Sequence, residues 1–219
     1  MTLLGFYREI LRQKYTHLRN ETASYAFRRQ ERTLWLYFEW SNGRTDWCNN
    51  LDFPAVAHGR DGDRHYIHRG FLRVFQALEP ALRPLITAPG IGRILIGGYS
   101  HGAALALLCH ETCMLTRPEL GEEIYGYGYG CPRVLWGPIR PAVRERFVHF
   151  TVIRNGRDIV THVPPALLGY RHVGEMAWVG RDTSLSPIDD HRPENYLRGL
   201  SASPIGNARI GEPLPEGSR

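Results

Sequence analysis

One short strand joined to a helix by a glycine-rich turn constrains the fold of this chain most. Residues 93–97 are an apolar run, and residues 103–108 are strong helix formers. Between them lies Gly98-Tyr99-Ser100-His101-Gly102, which fits the pattern G-x-S-x-G. Glycines at both ends of such a turn leave space where Cβ atoms would collide, and the serine takes a strained backbone conformation. The pattern predicts a turn that projects the Ser100 hydroxyl into a cleft; the alternative is a serine in an ordinary glycine-rich turn.

The remaining patterned segments predict an α/β fold. Strands that alternate with helices favour a largely parallel sheet covered on both faces. We expect one domain over residues 1–200 and a loosely held tail over residues 201–219, which are rich in Pro, Gly and Ser. The patterns place strands at residues 33–40, 93–97, 124–129, 147–154 and about 171–179, and helices at about residues 2–19, at Phe71–Leu78, where Pro80 and Pro84 limit or bend the helix, and after Ser100.

Composition and charge narrow the class of partners. Hydrophobic residues make up 42% of the 219 residues and charged residues 22%, which excludes wholesale disorder. The net charge of +5 favours peripheral contact with an anionic membrane surface, although a solvated basic surface is the alternative because the arginines are scattered. No nucleic-acid-binding motif and no apolar run long enough to span a membrane occur. The sequence leaves the oligomeric state open.

The first residues and the cysteines bear on the cellular compartment. Residues 1–11 carry charges where a secretory signal needs an unbroken apolar stretch, so we expect a cytoplasmic protein, with non-classical export as the alternative. Cys48, Cys109, Cys113 and Cys131 show no regular framework, which favours reduced thiols. The segment Cys109-His110-x-x-Cys113 has no second ligand pair after it, and no metal site is predicted.

The turn at Ser100 is accompanied by six further ordered blocks. They are Phe38-x-x-Ser41-x-x-x-x-Asp46-Trp47-x-x-Asn50-Leu51, His68-x-Gly70-Phe71, Tyr129-Gly130-x-Pro132-Arg133-Val134, Arg154-Asn155-x-x-Asp158-Ile159-Val160-x-x-Val163-Pro164-Pro165, Tyr170-x-His172-x-Gly174-Glu175-x-x-Trp178 and Asp190-His191-x-x-x-x-Tyr196. Together these blocks resemble the class 3 (fungal-type) triacylglycerol lipases. The resemblance implies an α/β-hydrolase fold, with a mostly parallel central sheet and helices on both faces, and a carboxylic ester hydrolase that needs no cofactor.

A serine nucleophile needs a histidine base and a carboxylate that orients it, in the chain order Ser, Asp or Glu, His. Ser100, Asp158 and His191 satisfy that order, and the resemblance implies the same three residues. Asp158 could otherwise be an ordinary turn aspartate after Asn155-Gly156. The other histidines after Ser100 fit less well: His149 falls in a strand, His162 lies close to Asp158, and His172 matches a block that is structural in the family. Asp189 and Asp190 could compete for His191.

The oxyanion hole should combine the backbone N–H of His101 with Ser41. Ser41 could instead be a turn serine before Asn42-Gly43. The family usually carries His and Leu where this chain has Tyr99 and His101, and an imidazole there could make the acyl pocket more polar. The predicted function is hydrolysis of an acyl ester or lipid substrate through an acyl-enzyme, by a triacylglycerol lipase, a phospholipase A-type enzyme or an esterase. A catalytically silent lipase-like protein that binds lipid or another partner is the alternative.

Overall fold

The computed structural model describes residues 1–17, 24–40, 52–59, 63–180 and 186–214. The strands in these ranges are β1 (Thr16–His17), β2 (Ser24–Gln30), β3 (Thr33–Phe38), β4 (Ala55–His58), β5 (His65–His68), β6 (Arg93–Tyr99), β7 (Ile124–Tyr129), β8 (Leu135–Trp136), β9 (Phe150–Asn155), β10 (Tyr170–Arg171) and β11 (Glu175–Val179). The α-helices are α1 (Leu3–Arg12), α2 (Arg69–Ile86), α3 (His101–Thr116), α4 (Pro141–Glu145), α5 (Pro187–Asp190), α6 (Pro193–Ala202) and α7 (Pro204–Asn207), and 3-10 helices span Pro118–Glu123, Ile159–His162 and Ala166–Leu168.

The central sheet has the order β1-β2-β3-β6-β7-β9-β11. Strands β3, β6, β7, β9 and β11 run parallel to one another, whereas β2 pairs antiparallel with both β3 and the edge strand β1. Side chains of the buried strands alternate between two apolar clusters: Leu36 and Ile96 pack with α2 and α3, whereas Tyr37 and Leu95 pack with α1, α6 and α7. The prediction of a mostly parallel sheet with helices on both faces is therefore confirmed.

The structure also contains elements that the sequence patterns did not predict. A small antiparallel sheet has the order β10-β8-β5-β4, and its strands are two to four residues long. Segments this short carry too few alternating residues to show a strand period. The expected strand at about 171–179 is divided between the two sheets because Gly174, at φ +83°, turns the chain between β10 and β11.

The first two helices differ in length from the prediction. Helix α1 ends at Arg12 instead of near residue 19, and the Tyr15 hydroxyl donates to the Ile10 carbonyl at 2.7 Å after its end. Helix α2 continues through Pro80 and Pro84. Both prolines lie on its exposed face, where water can satisfy the carbonyls that lose an N–H partner.

Residues 201–214 differ from the loosely held tail that composition predicted. Helix α7 lies within them, and Ile205 and Ile210 are buried in the cluster around α1. The Leu3 N–H donates to the Ala208 carbonyl at 2.9 Å, and the Ile210 N–H donates to the Met1 carbonyl at 3.1 Å. Two apolar side chains and these backbone bonds hold the segment against the start of the chain. Residues 215–219 lie outside the described residues.

Candidate active site

Ser100 occupies the sharp turn between β6 and α3. Its backbone has φ 57° and ψ −122°, a region that residues with a side chain rarely adopt. A Cβ on Gly98 would lie 2.1 Å from the Gly102 carbonyl oxygen, and a Cβ on Gly102 would lie 2.4 Å from the Phe38 carbonyl oxygen. Backbone of the neighbouring strand and helix therefore fills the space beside both positions. This is the physical reason for glycine at each end of the motif.

Ser100, His191 and Asp158 lie within hydrogen-bond distance of one another. His191 Nε2 is 2.8 Å from Ser100 Oγ, and His191 Nδ1 is 2.8 Å from Asp158 Oδ2. Asp158 is fully buried, whereas 19% of the His191 side chain is exposed. A proton on Nδ1 donated to the carboxylate leaves the Nε2 lone pair directed at the serine hydroxyl. The arrangement can thus remove a proton from Ser100 Oγ.

Two further donors fix the Asp158 carboxylate. Its Oδ1 accepts from the Val160 N–H at 2.8 Å, because Asp158 caps the 3-10 helix that follows β9. Its Oδ2 also accepts from the Tyr196 hydroxyl at 2.6 Å. Burial and the Asp158 charge raise the pKa of Tyr196 well above its ordinary value, so this phenol remains a donor. Tyr196 belongs to one of the blocks that resemble the family, but no sequence pattern predicts its contact with Asp158.

Hydrogen bonds to Asp190 link the segment that carries Asp158 to the segment that carries His191. Its backbone carbonyl accepts from the Asn155 side-chain amide at 2.9 Å, and its carboxylate accepts from the Arg157 N–H at 2.8 Å. Asp190 is buried. Asp190 therefore does not replace Asp158 as the hydrogen-bond partner of His191, because its carboxylate accepts from the backbone N–H of Arg157.

Of the two predicted oxyanion donors, His101 and Ser41, only His101 lies among the described residues. His101 is the first residue of α3, so its N–H belongs to the helix N-terminus, where backbone donors lack intrahelical partners. Its imidazole is buried and lies edge-on to Phe71, with ring centroids 5.5 Å apart. Burial and nearby His68 lower the pKa of His101 to about 4, so that its ring is neutral at neutral pH. Ser41 lies outside the described residues.

His172 and the described cysteines take no part in the contacts among Ser100, His191 and Asp158. His172 Nε2 lies 2.8 Å from the Thr161 carbonyl, and burial lowers the pKa of His172 to about 4. Cys109, Cys113 and Cys131 are buried free thiols, and Cys48 lies outside the described residues. Within the described ranges, no group of three or more His, Cys, Asp or Glu side chains is arranged to hold a metal ion. No helix there has the length and apolar character of a membrane span.

The topology and the comparisons identify the class of protein. The mostly parallel sheet and the turn after β6 define an α/β-hydrolase fold, and solved lipase structures share it. A structure of the Rhizomucor miehei triacylglyceride lipase has a TM-score of 0.61 and 26% identity, covering 76% of this chain and 65% of that chain. The sequence pattern of the class 3 lipase family matches residues 36–168. The chain belongs to the class 3 lipase family.

Curated relatives are fungal lipases. The chain is 28% identical to the lipase of Rhizomucor miehei over 155 residues, which cover 68% of this chain and 42% of that protein. It is 36% identical to a secreted mono- and diacylglycerol lipase of Malassezia globosa over 96 residues, which cover 42% of this chain and 31% of that protein. The chain spans less than half the length of these relatives. The expected cytoplasmic location is wrong, because relatives from Malassezia are secreted lipases.

Proposed function

We propose that this protein is a serine hydrolase of carboxylic esters, with Ser100 as nucleophile, His191 as base and Asp158 as the group that orients His191. The observation that carries the proposal is the pair of 2.8 Å contacts that join Ser100 Oγ to His191 Nε2 and His191 Nδ1 to Asp158 Oδ2. A hydroxyl, an imidazole and a buried carboxylate in this order are the groups that acyl transfer requires. Membership of a lipase family supports the same reaction.

The reaction would proceed in two steps through an acyl-enzyme. Ser100 Oγ attacks the ester carbonyl while His191 Nε2 accepts its proton, and the same proton then passes to the departing alcohol. Water, deprotonated by His191, attacks the acyl-enzyme; the bond from Ser100 Oγ to the acyl carbon breaks, the acid leaves, and His191 returns the proton to Ser100 Oγ. The His101 N–H, with Ser41 as second donor, would stabilise the oxyanion at the amino end of α3.

We propose acyl esters of lipids as the substrate class. The relatives' names support it: the matched Malassezia proteins are mono- and diacylglycerol lipases, and one matched structure is a triacylglyceride lipase. Glycerides with fewer than three acyl chains and triglycerides would both present the carbonyl that Ser100 attacks. Hydrolysis of mono-, di- and triolein in parallel would distinguish them.

Release of p-nitrophenol from a chain-length series of p-nitrophenyl esters tests the reaction. We expect Ser100→Ala to lose at least about a thousandfold in kcat, because the nucleophile is removed. Ser201→Ala is the matched control, since Ser201 is an exposed serine on α6. Equal rates for wild type, Ser100→Ala and Ser201→Ala would refute the proposal.

We propose further that the protein contacts an anionic lipid surface through the face formed by Leu167, Leu168, Arg133, Arg154 and Arg171, here called the Arg–Leu face. In this face Leu167 is 96% exposed and Leu168 is 53% exposed. The Arg171 guanidinium donates to the Ala166 carbonyl at 2.7 Å, next to both leucines. Arg133 donates to the Pro164 carbonyl at 3.0 Å, so it lies beneath the same loop.

Charge in the Arg–Leu face is unbalanced. Arg154 is the third arginine of the face. Burial lowers the pKa of Arg133, and the nearby positive charges of Arg171 and Arg154 lower it further. Among the residues that the structure describes, no carboxylate lies within ion-pair distance of these three arginines. Exposed leucines beside uncompensated cations suit an anionic lipid surface, which takes the apolar tips into its interface.

Vesicle sedimentation tests the Arg–Leu face. We expect binding to vesicles with phosphatidylglycerol to exceed binding to pure phosphatidylcholine vesicles, and to weaken as salt is added. Arg171→Glu changes the charge of the face by two, and at roughly 1 kcal/mol per charge near such a surface it should reduce binding about thirtyfold. The control is Leu115→Asp, since Leu115 is 50% exposed near the opposite end of α3. Equal binding by Arg171→Glu and Leu115→Asp would contradict this role.

A further inference from the structure

Tyr99, the residue before the nucleophile, packs directly on the imidazole of His191. The two rings are stacked, with centroids 5.1 Å apart and planes inclined by 21°. Tyr99 is 3% exposed, so its ring lies in the protein interior behind the imidazole. Tyr196 contacts the same imidazole edge-on, with centroids 6.4 Å apart. The His191 ring is therefore supported by Tyr99 on its face and by Tyr196 at its edge.

Tyr99 also holds the backbone of His191. Its hydroxyl donates a hydrogen bond to the His191 carbonyl oxygen, across 92 residues of sequence. Burial, with the charges of Asp158 and Glu194, raises the pKa of Tyr99 above its ordinary value, so that the phenol stays protonated and remains a donor. Because Tyr99 is covalently joined to Ser100, this bond ties the strand of the nucleophile to the segment of the base.

We infer that Tyr99 is a positioning residue for His191, whose hydroxyl fixes the histidine backbone and whose ring supports the imidazole when it becomes positively charged. The inference rests on the proposed function for its catalytic consequence. The chain resembles a family that usually carries histidine at this place, so the contact is a property of this chain and not of the motif.

The charge distribution of an aromatic ring explains how the Tyr99 ring would stabilise a positively charged His191. The face of a phenol is the negative end of its quadrupole, and a cation within about 6 Å of its centroid is attracted to it. His191 becomes imidazolium each time it accepts the Ser100 proton, so the stacked ring would favour that transient state. The other titratable groups facing His191 are Asp158 at Nδ1, Ser100 at Nε2 and Tyr196 at the ring edge. Asp190 beside it is bonded to the Arg157 N–H.

Two substitutions separate the hydroxyl from the ring. Tyr99→Phe keeps the stacked ring and removes only the donor, so we expect kcat to fall about three- to tenfold, as for one net hydrogen bond. KM should stay within about twofold, because the buried Tyr99 side chain does not face the substrate. Tyr99→Leu removes the ring as well, and we expect a further fall in kcat.

Tyr129→Phe is the matched control. Tyr129 pairs with Tyr99 in the register of β6 and β7, is equally buried, and donates its hydroxyl to the Leu3 carbonyl at 2.7 Å, away from His191. Both substitutions remove a buried bond from a phenol to a backbone carbonyl, so a purely structural effect would appear in both. If Tyr99→Phe has the same kcat as Tyr129→Phe, the role of the hydroxyl is overturned.

NMR of protein with ¹³C-labelled histidine gives a second readout that does not need turnover. The pH midpoint of the His191 Cε1–H signal should be unchanged in Tyr99→Phe and lower by roughly half a pH unit in Tyr99→Leu. A midpoint in Tyr99→Leu equal to that of wild type would overturn the role of the ring. Absence of ester hydrolysis in wild type would count against the proposed function alone, since the midpoints would still decide the role of the ring.

Discussion

Replacing Gly98 by alanine would place a methyl group inside the backbone of the turn that carries Ser100. The added Cβ would lie 2.1 Å from the Gly102 carbonyl oxygen, 2.4 Å from the Gly102 carbonyl carbon and 2.8 Å from the Ala103 nitrogen. All three are backbone atoms at the start of α3, so no side chain can rotate away. Because carbon contacts are comfortable only at about 3.5 Å, the turn must open by roughly 1 Å.

The consequence for stability and for activity follows from that displacement. Overpacking of this kind costs about 1–3 kcal/mol, and backbone contacts place Gly98→Ala at the upper end. Moving Ser100 by roughly 1 Å would also break its 2.8 Å contact with His191 Nε2, and such misplacement reduces rates about a hundredfold. We therefore expect a loss of about 3 kcal/mol in the free energy of unfolding and about a hundredfold loss in kcat/KM.

Urea unfolding and hydrolysis of p-nitrophenyl butyrate measure the two effects. Gly121→Ala is the matched control, because the Cβ there would lie 3.7 Å from the Met114 methyl carbon, an ordinary contact. We expect Gly121→Ala to change stability by less than about 1 kcal/mol and to leave kcat/KM unchanged. If Gly98→Ala behaves like Gly121→Ala in both assays, the steric explanation of the motif is refuted.

Three further predictions concern single side chains. The buried Tyr7 hydroxyl has no hydrogen-bond partner among the described residues. Tyr7→Phe should therefore leave the free energy of unfolding in urea unchanged or raise it by up to about 1 kcal/mol. A fall of more than about 1 kcal/mol would show that the hydroxyl makes a stabilising hydrogen bond. Burial opposes protonation of His65, but Glu111 at 3.2 Å outweighs it and raises the pKa of His65, so stability present below pH 6.5 is lost at higher pH. The stability difference between wild type and His65→Gln in urea should thus shrink as pH rises from 6 to 8, and a constant difference would refute the coupling. His191→Ala should abolish ester hydrolysis, whereas His149→Ala, whose ring lies at the surface beside Glu122, should retain it; the opposite result would reassign the base.

The parts of the fold that rest on strong local patterns were predictable. The buried strand β7 has the predicted bounds Ile124–Tyr129, and β6 begins at Arg93 as predicted, because apolar runs bounded by turn residues identify buried strands. Strand β6 continues to Tyr99, two residues beyond its predicted end. The small sheet was missed because its strands are too short to carry a period. The packing of residues 201–214 against α1 was also not predicted. Two isolated isoleucines give no periodic pattern, and their burial depends on the position of α1.

The site divides in the same way. Ser100, Asp158 and His191 remain predictions as catalytic residues, but the sequence named the three groups that the structure brings within 2.8 Å contacts. Chain order constrained them because this fold places its acid and its base after the nucleophile. The contact between Tyr99 and His191 could not be predicted, since it joins residues far apart in sequence and depends on the packing of two rings.

Tyr99 and His101 replace the usual neighbours of the nucleophile and lie on opposite sides of it. Tyr99 belongs to the cluster around α1 and packs beneath His191, whereas the His101 ring packs against Phe71 of α2. With the pKa of His101 lowered to about 4 by burial and by His68, that ring is uncharged at neutral pH. An oxyanion formed at Ser100 would therefore gain nothing from an imidazolium at His101. Its stabilisation would have to come from the backbone N–H of His101 at the amino end of α3 and from the proposed second donor Ser41. Because the His101 contribution comes from the backbone, the turn can tolerate an unusual side chain there.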